Sequence, residues 1–390
     1  MRGASAVTIA PVRELVIIIS DLYLPPRDGG EVKAAAGVAL PGLELAVRFG
    51  RKAPLGSDWR PWLARWLRRD DLARSAAAVI IAAASEAARA AFADNGHMEI
   101  GVAGTQATTA AGSNTAAAWL ATPVYLIASL NSLHLDPRSI LQLSPDERTM
   151  LAEDFNRTFA DSRFRLESVA SGALIMHARD AVNAVTTEPA RALAGELDAS
   201  LPNGPDAAAL KRLGAELEMW LHAHPVNELR ARRGELPVST LWLWGGGTTA
   251  ESHQPSAQPP ASATKGGAAS PDLLFGSEPY LTALLGLHGA AARALPDRLP
   301  DLHSHPGIQR VAIVAEITPL LHANPQWTVF EALADLDRRF LVPALAELRA
   351  GATAAVVFIA NDIQLRVERA DLLKFWRRRR QSVLDELRSA

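Results

Sequence analysis

The sequence has no cysteine in 390 residues, which excludes disulfides, thiolate metal ligands and a cysteine nucleophile. It also lacks any apolar run near the roughly 18 residues that a membrane-spanning helix requires. The apolar stretch Leu15 to Ile19 is too short for a secretory core and leads into Asp21 and Pro25 with no small-residue cleavage site. A cytoplasmic protein with no membrane partner is therefore expected. Charge of one sign is missing too: 40 Lys and Arg balance 42 Asp and Glu, for a net charge of -2. Nucleic acid is not an expected partner, because phosphate backbones are held by concentrated basic surface. What the chain does have is length and apolar content. With 48% hydrophobic residues it can build two domains, or one large domain carrying an insertion.

Leu15 to Ser20 is a β-branched run, the pattern of a strand buried on both faces of a parallel sheet. Trp59 to Phe92, rich in Ala, Arg and Trp, reads as helix, and Pro123 to Leu130 as a further strand. Ser144-Pro145-Asp146-Glu147 is a helix start: Ser caps, Pro takes the first turn and Glu closes a capping box. That helix should run to about Phe159. Arg163 to His177 alternates loosely, as a hairpin does. A helix is expected from Asp206 to Leu221, stopped by His224-Pro225. Late in the chain, Val311 to Glu316 and Ala354 to Ala360 are apolar strands around a helical stretch, Thr328 to Leu348, which makes a βαβ unit. Thr248 to Pro271 is of low complexity, with too few apolar residues to offset ordering entropy, and reads as a mobile loop. No internal repeat is present. The sum is an α/β protein with a largely parallel sheet. Residues 1–118 and 201–390 are expected to form the core, and 119–200 a small inserted α+β lobe.

Ser239 to Gly247 reads as a strand that ends in a turn of three glycines, Gly245, Gly246 and Gly247. In open α/β sheets, ligands bind beyond the carboxyl ends of strands. Glycines there let backbone N–H groups approach an anion, although a tight turn needs them for geometry alone. Asn227 and Arg230 lie one turn apart on a short helical piece. Together they offer an amide and a guanidinium that can fork a phosphate, or else form a solvated surface pair.

The order His-Pro-Val-Asn, Arg, Gly, Pro, then an apolar strand ending in Gly-Gly-Gly, across His224 to Gly247, resembles the archaeal-type cofactor-independent phosphoglycerate mutases. It is still more similar to the bacterial RpfE-type regulatory proteins related to them, in which a Trp-Leu-Trp-Gly-Gly-Gly signature is expected. Ala118 to Leu126 extends the likeness, with Thr122 and Tyr125 standing where that pattern has an acid and a histidine. The resemblance implies an alkaline phosphatase-like core. In active members, two divalent metals activate a Ser or Thr nucleophile, because phosphoryl transfer needs charge neutralised on both attacking and leaving oxygens.

Carried over position by position, that metal set is incomplete. Asp21 follows the first strand, as the first ligand should. The Asp-x-x-x-His expected after a late strand leaves only His322, and the Asp-His pair after the last strand leaves only Asp362. No histidine follows His322. Each survivor also has a structural reading: a turn or cap for either acid, and a loop position for His322. Hydroxyls for a nucleophile occur at Thr105, Thr108, Thr109 and Ser113, with Thr108 and Thr109 the leading pair. Pro237-Val238-Ser239 also departs from the Pro-Ala-Asn of the archaeal mutases. Trp244 stands where an Arg is expected, and an indole cannot replace a guanidinium on phosphate.

Outside this family pattern, His222-Ala223-His224 and His303-Ser304-His305 have i, i+2 spacing without a nearby acid. The run Phe375 to Arg380 reads either as an acidic-surface contact or as a docked amphipathic helix. Trp59, Trp62 and Trp66 have helical core spacing. The expectation is a non-catalytic binding or regulatory relative of the mutases, without cofactor, whose ligand is a small molecule or a protein. A metal-dependent phosphotransferase using Mn or Zn stands as the alternative.

Overall fold

A computed structural model describes residues 12, 14–22, 24, 38–56, 58–94, 116–128, 133–193, 197–248, 272–290, 292–302, 308–360, 362–374 and 383–388. The expected nucleophile loop, nearly all of the 248–271 loop, the His303-Ser304-His305 triplet and the Phe375 to Arg380 run lie outside them. The chain divides into two compact units. One comprises Met1–Leu63, Gly267–Leu281 and Ala290–Ala390, the other Ala64–Gly266 and Thr282–Gly289. Helices α2 (Trp59–Trp66) and α7 (Pro279–His288) contain points where the chain passes from one unit to the other.

The first unit is built on a six-stranded sheet. In chain order its strands are β1 (Glu14–Ile19), β2 (Arg51–Pro54), β9 (Asp272–Phe275), β10 (Arg310–Ala315), β11 (Ala355–Ala360) and β12 (Ile363–Glu368). They lie side by side as β2-β12-β11-β1-β10-β9. The expected strands at Leu15, Val311 and Ala354 are its parallel centre: β1 pairs in parallel with both β10 and β11, and β9 joins β10 in parallel. Strands buried on both faces can be continuously apolar, as Leu15 to Ile19 is. The sheet is mixed, since β12 and β2 add antiparallel pairings. The unit is thus α/β with a mostly parallel sheet.

The helical stretch between β10 and β11 is broken where its sequence requires. It comprises α9 (Val329–Leu336), a π-helical turn (Asp337–Leu341) and α10 (Val342–Ala350). Pro343 has no N–H to offer the carbonyl of Arg339. That carbonyl accepts instead from the Leu299 N–H at 3.1 Å. The widened turn is thus tied to a neighbouring segment rather than left open. Gly351, with φ 85°, supplies the left-handed residue that ends α10.

The π turn also anchors α1 (Pro41–Phe49). Asp337 is buried, and its two carboxylate oxygens accept the N–H groups of Gly42 at 2.9 Å and Leu43 at 2.7 Å, in the first turn of α1. No side chain next to α1 caps that end, so a residue almost 300 positions away does so. Gly42 permits the approach, because a Cβ there would sit 2.7 Å from the Asp337 carboxylate and 2.9 Å from the Val342 nitrogen.

The second unit holds an antiparallel sheet of β3 (Ala117–Val124), β6 (Phe164–Ser168), β7 (Leu174–Ala178) and β8 (Thr240–Thr248), in the order β6-β7-β3-β8. A small ribbon, β4 (Ile127–Ala128) with β5 (Leu133–His134), accompanies it. The expected hairpin is β6 and β7, and the expected capped helix is α4 (Pro145–Thr158), with both halves of the Ser144/Glu147 capping box formed. α5 (Ala207–His222) buries Leu210, Leu213, Leu217 and Leu221 at i, i+3, i+4 spacing in a core shared with Trp119 and Leu243.

Two expectations need correction here. The strand placed at Pro123 to Leu130 lies earlier, at Ala117–Val124, because an alanine-rich run of low β propensity hid a strand central to its sheet. The single helix read from Trp59 to Phe92 is two, α2 and α3 (Ala76–Asp94). Arg68, at φ 61°, and a 3₁₀ turn at Asp70–Leu72 interrupt it.

Burial pushes the Asp337 carboxyl up from 3.8 to about 6, against the pull of its two backbone N–H bonds. A carboxyl raised in the folded state binds protons that the unfolded chain has released. Its contribution to stability therefore falls as pH rises from about 4 to 6, by about 2–3 kcal/mol. Urea unfolding across that window should show the decline, and Asp337→Asn should flatten it.

Candidate functional site

Asp21 follows β1, as a first metal ligand would, but its carboxylate is already engaged. Its oxygens accept the N–H groups of Ile317 at 2.6 Å and Thr318 at 2.8 Å. These open α8 (Ile317–Ala323), the helix that follows β10. Because β1 and β10 are parallel neighbours in register from Glu14↔Arg310 to Ile19↔Ala315, the two strand ends meet and Asp21 closes the first turn of α8. Burial pushes the carboxyl up, while bonds from Ile317 and Thr318 pull it down.

Asp362 lies in the tight connection between β11 and β12, where Ala360 pairs with Ile363. It adopts φ 61°, a left-handed conformation that Asp tolerates better than most residues, as two-residue hairpin turns require. Its carbonyl accepts the Leu55 N–H at 2.7 Å. His322 falls in the last turn of α8, at the opposite end from Asp21. Among the described residues, no group of three or more His, Cys, Asp or Glu side chains is placed to hold a metal ion. Asp21, His322 and Asp362 are thus not brought together in such a group.

The glycine turn is the clearest correction. Gly245, Gly246 and Gly247 continue β8, which runs to Thr248 in the antiparallel sheet and does not end a strand of the parallel one. The pairing passes from Trp244↔Leu120 to Gly247↔Ala118, so two residues of β8 oppose one of β3. That is a β-bulge, with Gly245 in the left-handed region at φ 65°. Gly246 meets an even harder limit, since a Cβ there would lie 1.7 Å from the Ala118 carbonyl oxygen. The glycines let two backbones cross closely.

Trp244 is buried, and its indole N–H donates to the Thr122 hydroxyl at 2.7 Å. These are two positions at which the chain departs from the mutase pattern, Trp for Arg and Thr for acid. They touch across neighbouring strands. Trp242, on the same side of β8, donates its indole N–H to the Thr187 carbonyl at 2.7 Å.

Asn227 and Arg230 lie on α6 (Pro225–Arg232), which His224 caps through Nδ1. The Asn227 amide donates to the carbonyls of Leu221 and Val238 and accepts the Val238 N–H at 2.7 Å, fastening the entry to β8 against the end of α5. Arg230 is buried. Its guanidinium bonds the Leu236 carbonyl at 2.7 Å, the Gln142 carbonyl at 3.3 Å and the Glu147 carboxylate at 3.2 Å. Glu147 also accepts from Arg233 and, through its other oxygen, from the Ser144 N–H of its capping box. Sequence reading found Glu147 as a cap but missed it as the buried counter-ion of Arg230. Only the 83-residue separation concealed the pairing.

His224 is buried, and desolvation pushes its imidazole below the ordinary range, against an upward pull from Asp154 at 3.3 Å. It packs edge-on to Trp220. His222 ends α5 rather than sharing a site with it.

No family model and no curated protein matches the chain. Among solved structures it is similar to the cofactor-independent phosphoglycerate mutase from Thermoplasma acidophilum, at 13% identity and a TM-score of 0.31, over 91% of this chain and 89% of that one. It is also similar to the PH0037 protein from Pyrococcus horikoshii, at 10% identity and a TM-score of 0.39, over 92% and 88% of the two chains.

Arg230→Ala removes the buried counter-ion of Glu147 and a donor to the Leu236 carbonyl, while Arg233 and the Ser144 N–H still reach Glu147; it should cost about 1–3 kcal/mol in urea unfolding. Gly246→Ala should be worse tolerated than Gly247→Ala, which is strained by its φ of 153° but whose Cβ would meet nothing within 4 Å. Comparing the soluble yield and melting temperature of the two variants checks the bulge.

Proposed function

We propose that this chain is a phosphoglycerate mutase-like protein with an alkaline phosphatase-like core, and that it acts by binding, in a regulatory role of the RpfE type, rather than by transferring phosphoryl groups. The observation that carries this reading is the engagement of Asp21. Both oxygens of the acid best placed to hold a metal instead close the first turn of α8. A carboxylate drawn off to coordinate an ion would leave two buried N–H groups open, at about 1–3 kcal/mol each.

Three further features support it. Asp362 serves a left-handed hairpin turn. The Arg and acid that the resemblance places on neighbouring strands are here the neutral pair Trp244 and Thr122. Arg230, the remaining guanidinium of the motif, is committed to Glu147 and to backbone carbonyls. A loop, a strand pair and a helix that would have met phosphate are thus held by internal bonds, and the fold is kept without the charge that catalysis would need.

The purified chain should show no interconversion of 3- and 2-phosphoglycerate with Mn²⁺ or Zn²⁺ present, and calorimetry should show no saturable metal binding that Asp21→Asn removes. Asp21→Ala should instead lower stability by about 1–2 kcal/mol, as loss of a helix cap does. Metal-dependent turnover that disappears in folded Asp21→Asn or Asp362→Asn protein would overturn the reading in favour of a phosphotransferase.

A further inference from the structure

The second unit contains a cleft of about 990 Å³ along the start of β8, at the upper end of the range for ligand sites. One wall is the flank of α5, from Leu210 and Lys211 through Gly214 to Glu218. The other is the helical turn Leu197–Ser200, and β5 contributes His134. The floor is Thr240 to Leu243 of β8.

This floor is a sheet edge. β8 pairs with β3 on one side and is the terminal strand of its sheet among the described residues. In a strand, alternate residues turn their N–H and C=O groups to opposite sides. Half of the backbone groups along the floor therefore face the cleft. The Thr240 hydroxyl adds to them: the residue is only 6% exposed and its oxygen has no hydrogen-bond partner. Unpartnered backbone edges normally invite another strand.

The charges on α5 give the length of what would fit. Lys211 and Glu218 both line the cleft, and neither has an ion-pair partner among the described residues. Seven residues separate them, or about 10 Å along the helix axis. In an extended peptide only an even number of steps keeps two side chains on one face; four steps cover about 13 Å, a difference that the long Lys and Glu side chains take up. Gly214 lies between them, and a Cβ there would meet nothing within 4 Å, so the wall is recessed midway. The body of the cleft is apolar, with leucines on several of its elements and Trp242 on the floor.

We infer that this cleft binds a short extended peptide segment that adds as a strand to the free edge of β8, with apolar side chains inside and one basic and one acidic group, four residues apart and so on the same face, meeting Glu218 and Lys211. The inference rests on the binding role proposed above and names its partner class. Strand addition draws affinity from main-chain hydrogen bonds and specificity from the pockets for alternate side chains.

The probe is acetyl-Lys-Val-Val-Val-Asp-amide, whose charged ends share one face of a strand, titrated by calorimetry into the full chain. Peptides with Lys at both ends or Asp at both ends should bind about tenfold more weakly, or about 1.4 kcal/mol. N-methylation of alternate amides should weaken binding by a similar factor in one of the two registers and not in the other, since only one set faces the edge. Gly214→Leu should fill the recess and abolish binding while leaving the melting temperature equal or higher, because glycine is a poor helix residue. Glu218→Lys should shift preference to the peptide with Asp at both ends, a change that a merely structural role would not produce.

Equal affinity for both N-methylated registers overturns strand addition. Binding of decanoate without binding of any peptide replaces it with a small amphipathic ligand. No binding of any probe to the native chain removes the site. The metal-dependent mutase assay on the same preparation keeps the two readings apart. If it is silent while the peptide fails, only the cleft assignment falls, whereas turnover overturns the binding role itself.

Discussion

Two helices of the first unit begin where water cannot reach their first N–H groups, and in each case a distant carboxylate takes its place. Asp337 closes α1 and Asp21 closes α8, each across about 295 residues of sequence. The first turn of a helix has N–H groups with no partner inside the helix, and a buried one needs an acceptor from elsewhere. A carboxylate satisfies two at once and favours the positive end of the helix dipole. The constraint runs both ways, because burial pushes both carboxyls upward while those N–H bonds pull them down. The parallel sheet makes this possible. With β1 in register beside β10, the residue after one strand lands beside the helix after the other.

The second unit meets the same requirement with side chains nearer to hand. Glu147 caps α4 with one oxygen and receives two arginines on the other. Asn227 copies the hydrogen-bonding pattern of a strand, donating to Val238 and accepting from it, so β8 starts in a fixed place. The bulge at Gly245 and Gly246 then bends β8 over β3. Start and bend are both fixed, and the residues between them have a single register. That is why the edge of β8 that is unpaired among the described residues presents a defined row of groups instead of a slipping one.

Much of the first unit could be read directly from the sequence. Leu15 to Ile19, Val311 to Ala315 and Ala355 to Ala360 are unbroken apolar runs, and only a strand covered on both faces wants that. The Ser144 capping box is a local signal and formed as written. What could not be read was long-range. Asp21 looks the same in sequence whether its partner is a metal or two N–H groups almost 300 residues on. Arg230 likewise carries no mark of Glu147. The glycine triplet was misread for another reason: a turn and a bulge both select glycine. The alanines of β3 were ambiguous because alanine favours helix, and tertiary packing against Met176 and Leu243 decided otherwise.

Trp244 and Thr122 show how a strand pair can satisfy its polar side chains without charge. Breaking one side of a buried ion pair costs about 3–5 kcal/mol, whereas replacing both sides with well-packed neutral groups is often free of cost or stabilising. The indole N–H and the threonine hydroxyl then satisfy each other at 2.7 Å, so no polar atom is orphaned at that contact. The neighbouring Trp242 does likewise with the Thr187 carbonyl at 2.7 Å, so both indoles of β8 are fixed by neutral bonds and the strand is held without an ion pair.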